Sequence, residues 1–459
     1  MARQTLFANE ALTPSGWAQN VRVDIDGEGR IAGVTAGAKP DDVPGEVKVG
    51  ALLPAPGNAH SHSFQRAMAG LTEYRSQAYD DFWTWRALMY HFVERLTPDD
   101  IEAIAAQVQM EMLEAGYAAI GEFHYLHHQP DGTPYDMPGE LGARMFAAAA
   151  QTGIGYTHLP VLYMRGGMDG RPLSGGQRRF GNTLDQFGTL FEQARERLQD
   201  LPADARLGVA PHSLRAVDED GLSFAARLHR TAPVHIHAAE QTGEVDEALT
   251  HLGGRPVAWL LDNMKIDSDW RLVHATQMTD AETAALAASG AGVVVCPITE
   301  ANLGDGIFEA QQYLSAGGAL ALGSDSNIRI SLSEELRALE HSQRLRDRER
   351  AVLATADKSC GRRMLETVAE GGASALGRDA GRIEPGALAD LLALDTASST
   401  LAGLSGDRLL DTWIFAAGDH LVSDVWAAGR HVVKDGRHIK HDAIAARFNK
   451  VMLRLRSEL

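Results

Sequence analysis

The chain is poor in cysteine, aromatic residues and positive charge. Only Cys296 and Cys360 occur in 459 residues. That is too few for a disulfide framework, and a reducing cytoplasm is the expected compartment. Lysine and arginine number 43 against 61 aspartates and glutamates, a formal net charge of −18. This balance argues against nucleic acid or an anionic membrane surface as partner, although a local arginine cluster can still bind a small anion. No run approaches the roughly 20 apolar residues of a membrane span. Met1-Ala2-Arg3-Gln4-Thr5 lacks the apolar stretch of a secretory signal. Internal repeats and low-complexity linkers are also missing. What remains is an ordinary globular composition, long enough for a large core and a smaller accessory domain.

Within that composition His60-Ser61-His62 stands out. It follows the apolar run Val49–Gly57 after the short link Asn58-Ala59. In extended backbone, residues two apart point to one side, so both imidazoles can reach a single metal ion. Three further residues close short apolar runs in the same way. They are His237 after Val234-His235-Ile236, His274 after Arg271-Leu272-Val273, and Asp325 after Ala319–Ser324. A parallel barrel places its catalytic residues at such strand ends.

The pattern between about residues 50 and 330 alternates apolar runs with longer amphipathic stretches, as βα units do. Candidate strands end near Ala59, His124, Tyr163, Pro211, His237, His274, Pro297 and Asp325. Eight is the number a closed (β/α)8 TIM-like barrel needs. Thr97, Pro98 and Asp100 predict a helix start and Gly116 its end. Ser331 and Glu334 predict a capping box ahead of a charged helix running through Arg350. Both ends of the chain carry short alternating segments, such as Val21–Ile25, Ala389–Leu394 and Val422–Trp426. The expected α/β architecture is a barrel over 51–380 beside a small β-sandwich. That sandwich combines 1–50 with 381–459, the latter including a terminal helix.

His60, His62, His237 and Asp325 supply enough ligands for one hydrolytic metal that keeps a position for water. No lysine stands at a strand end where, carboxylated, it could bridge a second ion. Asp325 is also placed to accept a proton from the attacking water, and His274 to hydrogen bond that water. Glu240, three residues after His237, can face the same cavity and carry protons to a leaving amine. It can equally be a helix-start carboxylate favoured by the macrodipole.

This layout resembles the deaminase branch of the amidohydrolase superfamily, flanking β domain included. Two segments are similar to the formiminoglutamate deiminases of histidine degradation: Gly57–Arg66, which contains His60-Ser61-His62, and His235–Gln241. The resemblance implies hydrolysis of N-formimino-L-glutamate to N-formyl-L-glutamate and ammonia, one zinc per chain, and a homodimer as the expected assembly.

Such a substrate carries two carboxylates, which arginine recognises through a bidentate fork. Arg215 follows candidate strand four, and Arg86 sits on the long loop after strand one. Surface arginines are common, so the resemblance is what raises these two. Gln65, Tyr125 and His212 can hydrogen bond polar substrate atoms. The metal and proton-carrying residues do not choose a substrate, and neither does Cys296–Gly304. A guanine- or S-adenosylhomocysteine-type aminohydrolase, or a non-catalytic metal-binding barrel, therefore remains open.

Overall fold

A computed structural model describes residues 2–41, 43–73, 82–228 and 233–457. Eight parallel strands form the barrel: β1 (Gly57–Ser61), β2 (Ala119–His124), β3 (Gly155–Leu162), β4 in two pieces (Arg206–Leu207 and Ala210–Pro211), β5 (Val234–Ala238), β6 (Trp270–His274), β7 (Gly292–Val295) and β8 (Ala319–Leu322). Single bridges complete the ring where ladders are short. Val209 and Ser213 pair with Val234 and His237, and Ser61 pairs with Asp325. Every strand predicted from the sequence is present, each ending within two or three residues of its expected end.

The floor of the barrel is plugged from outside the ring. Ala375 and Leu376, at the end of the helix Cys360–Ala375, pack with Ala59, Ala119, Val273, Val294 and Ala321. Polar strand residues hold this plug: Thr157 Oγ1 donates to the Leu376 carbonyl at 2.9 Å, and His235 Nε2 to that of Ala375 at 2.8 Å. The approach requires glycine at two positions. A Cβ on Gly57 or Gly121 would sit 2.5 or 2.6 Å from a Leu376 methyl. With its floor filled, the barrel presents its cavity at the C-terminal ends of its strands.

Both chain ends build one separate eight-stranded sheet. Its order is Arg437–His438, Arg430–Lys434, Val422–Ala427, Leu391–Leu394, Val47–Pro54, Gln4–Thr13, Gly16–Ile25, Ile31–Thr35. Only Gln4–Thr13 and Val47–Pro54 run parallel. Ile31 N–H donates to Ala387 O, and Gly386 N–H to Ile31 O, at 2.9 and 2.8 Å. The sheet thereby curls over its own apolar cluster of Leu6, Val23, Leu52, Leu391 and Trp426. The terminal helix His441–Ser457 packs instead against Pro98–Glu114, with Arg454 paired to Asp100 at 2.5 Å.

Local signals fared unevenly. Thr97 and Asp100 form a complete reciprocal capping box. Ser331 makes only half of one, because the Glu334 carboxylate pairs with Arg329. The helix that follows is Leu332–Asp347, shorter than expected, since Arg348 turns left-handed at φ 59°.

A buried arginine joins the two bodies. Arg378 donates to both oxygens of Asp390, beside the small sheet, and at 2.9 Å to Asp204, in the loop before β4. Burial would raise the Asp204 pKa, but Arg430 and Arg378 outweigh it and hold it at about 2. Replacing Arg378 by leucine leaves Asp390 buried without its cation, while Asp204 keeps Arg430. Denaturant unfolding should show a loss of about 3–5 kcal/mol, and an unchanged midpoint would show that the clamp carries no stability.

Candidate metal centre and active site

The seam between β8 and β1 sets the centre. Asp325 N–H donates to His60 O at 3.0 Å, and His62 N–H donates to Asp325 O at 2.9 Å. Asn327 Nδ2 braces the same turn by donating to the carbonyls of His62 and Asp325. Asp325 itself sits at φ 46° and His274 at φ 70°, conformations that non-glycine residues keep only where surrounding bonds enforce them.

The side chains converge as that backbone dictates. His60 Nε2 and His62 Nε2 each lie 3.2 Å from Asp325 Oδ1, and His237 Nε2 lies 3.0 Å from His60 Nε2. One ligand atom from each of these four residues lies within 4.8 Å of all the others, and all four are buried. Burial lowers the His60 pKa to about 3, against the pull of Asp325, so its imidazole is neutral. His62 Nδ1–H donates to Phe123 O at 3.0 Å, leaving the Nε2 lone pair facing the cluster. Three imidazole nitrogens and a carboxylate gathered this closely in a buried space fit a divalent cation. Three histidines and one carboxylate suit zinc-like ions.

Around these four candidate ligands lies a second group. Glu240 is 3.8 Å from His274 Nε2 through one oxygen and 3.5 Å from Arg215 through the other. Its loop is held by Glu244, whose carboxylate accepts from the N–H groups of Ala239 and Glu240. Glu240 is therefore a loop residue past a strand end, and the next helix starts only at Thr242. His274 Nδ1 meets Glu300 Oε1 at 3.2 Å. Burial alone would lower the His274 pKa, yet Glu240 and Glu300 push it up to about 10.

Gln65, Arg86, Tyr125, His212 and Arg215 line the cavity over this centre together with His62, His237, Glu240, His274 and Asp325. Gln65 Nε2 donates to Tyr125 Oη at 2.7 Å. Arg86 lies on the helix Phe82–Val93, not on a loop as its sequence context suggested, and its guanidinium stands 5.6 Å from the Tyr90 ring. The open volume is about 50 Å³, room for an ion and its water.

Sequence reasoning missed Glu300 and Asp305. Glu300 Oε1 also accepts from the backbone N–H of Cys296 at 2.8 Å, which aims the carboxylate at His274. In the sequence it reads as a first-turn glutamate behind Pro297, a pattern common to many helix starts. Asp305 pairs with Gln241, and burial and Glu240 hold its carboxyl above the usual range. No local pattern marked it.

Comparison with known proteins follows the same lines. The model of the Amidohydrolase family matches residues 51–432. The chain belongs to the amidohydrolase family. This family is metal-dependent, and His60, His62, His237 and Asp325 form the candidate metal site here. A second model, "Formimidoylglutamate deiminase HutF, N-terminal domain", matches residues 3–46, within the small sheet. The chain is 48% identical over 449 residues to formimidoylglutamate deiminase from Pseudomonas aeruginosa, covering 97% of this chain and 98% of that protein. It is 28% identical to 5-methylthioadenosine/S-adenosylhomocysteine deaminase from Natronomonas pharaonis, over 86% of this chain and 84% of that one. Among solved structures, an amidohydrolase from Brucella melitensis superposes with a TM-score of 0.94 at 44% identity, covering 98% and 99% of the two chains. An adenosine deaminase from Xanthomonas campestris with bound zinc shares the fold, at 22% identity and TM-score 0.81, over 99% and 98%.

Metal analysis of the purified protein should find about one divalent ion per chain. His237→Ala should lose most of it while the far-ultraviolet circular dichroism spectrum stays that of the parent. Full metal content in that variant would move the ion elsewhere.

Proposed function

We propose that the chain hydrolyses N-formimino-L-glutamate to N-formyl-L-glutamate and ammonia, a step of histidine degradation. The observation that carries this reading is Arg86 and Arg215 lining one cavity with Glu240 and the metal ligands. Two guanidinium groups in one small cavity suit a substrate with two carboxylates and ill suit a flat neutral base. The 48% identity to a formimidoylglutamate deiminase supports the same substrate.

Placement in the cavity supports the following roles. A divalent ion, for which zinc fits the three-histidine, one-aspartate set, supplies a water acidic enough to act as nucleophile near neutral pH. His60, His62, His237 and Asp325 would hold the ion, and the Asp325 carboxylate would take one proton from the water. Glu240 carries a proton to the imino nitrogen as water adds to the formimino carbon. The carbon–nitrogen bond then breaks, ammonia leaves and the formyl carbonyl forms. His274, its Nδ1 held by Glu300, presents Nε2 to the developing charge on oxygen. Arg215 and Arg86 bind the carboxylates, and Gln65, Tyr125 and His212 orient the polar atoms between. The cytoplasm is the compartment we propose, supported by two free buried thiols.

Ammonia release from formiminoglutamate, measured beside guanine and S-adenosylhomocysteine, tests the reading. Turnover of either purine compound without formiminoglutamate turnover would overturn it. Glu240→Gln should lower kcat by about 10²-fold or more with metal content unchanged.

The two arginines should differ. Arg86→Met should raise KM by roughly 10- to 100-fold with kcat little changed, the loss of one charge-assisted carboxylate contact. Arg215→Met should lower kcat as well, because it leaves Glu240 and Glu244 buried without their shared cation. If neither variant changes KM, the acidic substrate is wrong.

A further inference from the structure

A larger cavity lies on the other side of the barrel wall. It occupies about 370 Å³ between the outer faces of β2 and β3 and the helices Glu140–Thr152 and Leu184–Arg197, and shares no lining residue with the active site. Its volume falls within the range of small-molecule pockets, roughly 300–1,000 Å³. Three buried histidines, His124, His127 and His158, line it, with ring centroids 5.5 Å apart for the first two and 5.3 Å for His124 and His158.

These imidazoles are not used up by the fold. His124 is 5% exposed, and its Nε2 has no hydrogen-bond partner among the described residues. Such a buried polar atom costs stability unless something pairs with it. His127 Nε2–H donates to Val161 O at 2.9 Å, which leaves Nδ1 as a bare acceptor. His158 Nδ1 pairs with Tyr156 Oη at 2.9 Å, leaving Nε2 toward Gly142, where an added Cβ would come within 3.5 Å. The Phe146 ring, 4.8 Å from that of His158, adds an aromatic wall.

The chemistry of the lining selects its ligand. Burial keeps His158 at a pKa of about 3 and the other two well below their ordinary value, so the pocket offers neutral hydrogen-bonding nitrogens. Arg197 at the rim is outnumbered by Glu196 and Asp200, which disfavours an anion. We propose that this cavity is a second binding site, for a small, planar, uncharged molecule carrying both an N–H donor and an acceptor, such as an aromatic amide or heterocycle. Its position gives it a line to the active site. On either side of His124, Phe123 packs 4.4 Å from the His237 ring and Tyr125 lines the substrate cavity.

Benzamide is a suitable probe, being planar, uncharged and a weak metal ligand. Titrated against the metal-loaded protein and followed by ligand-observed nuclear magnetic resonance, it should bind saturably, with Overhauser contacts to the His124 and His158 ring protons. Gly142→Leu and Ala143→Leu, which fill the cavity from one helix, should each weaken binding at least tenfold without changing metal content. No binding up to the solubility limit would overturn the proposal and leave a water-filled void. So would contacts only to active-site protons, a result that needs no variant to fold.

Discussion

Closure of the barrel between β8 and β1 is the constraint on which the rest depends. Two strands distant in the chain meet through the backbone bonds of Asp325 with His60 and His62. Those bonds complete the ring, and they also set three of the four candidate ligands within reach of one ion. Structure and site therefore share one set of hydrogen bonds. Loosening the seam would both open the sheet and disperse the ligands. The left-handed backbone at Asp325 is maintained because Ser324, Asn327 and Asn58 interlock beneath it.

Charge is the second organising force. Glu240, Glu300 and Asp325 stand around His274 in a buried space, within a chain already strongly acidic. Such a group is tolerable with cations nearby, and Arg215 and the candidate ion site among the histidines stand beside it. A net negative chain can still present local positive charge, because Arg86 and Arg215 line one cavity and the global field is screened beyond about 10 Å.

The small sheet contributes through position. Its strand Val47–Pro54 leads directly into β1, so the histidine pair is entered from a rigid element. Arg378 then locks that sheet to the loop before β4. The filled floor leaves chemistry to the opposite face, while the crevice outside β2 and β3 is free for a different kind of ligand. His124 of β2 and His158 of β3 line that crevice, whereas Tyr125 and Tyr163, just past the same strand ends, line the other cavity.

By itself the sequence determined whatever depends on near neighbours. The two-residue spacing of His60 and His62, the eight apolar runs, the Thr97 cap and the three-residue step from His237 to Glu240 are local patterns with a period or a cap behind them. Tertiary structure decided what depends on distant segments meeting. Glu300 looked like any first-turn glutamate until the fold brought His274 to it across 26 residues of chain. Arg86 lay in a stretch whose helix was not legible, with little amphipathic period to reveal it. The curl of one sheet from both chain ends, the Arg378 clamp and the histidine-lined crevice depend on long-range packing, which local propensity does not encode.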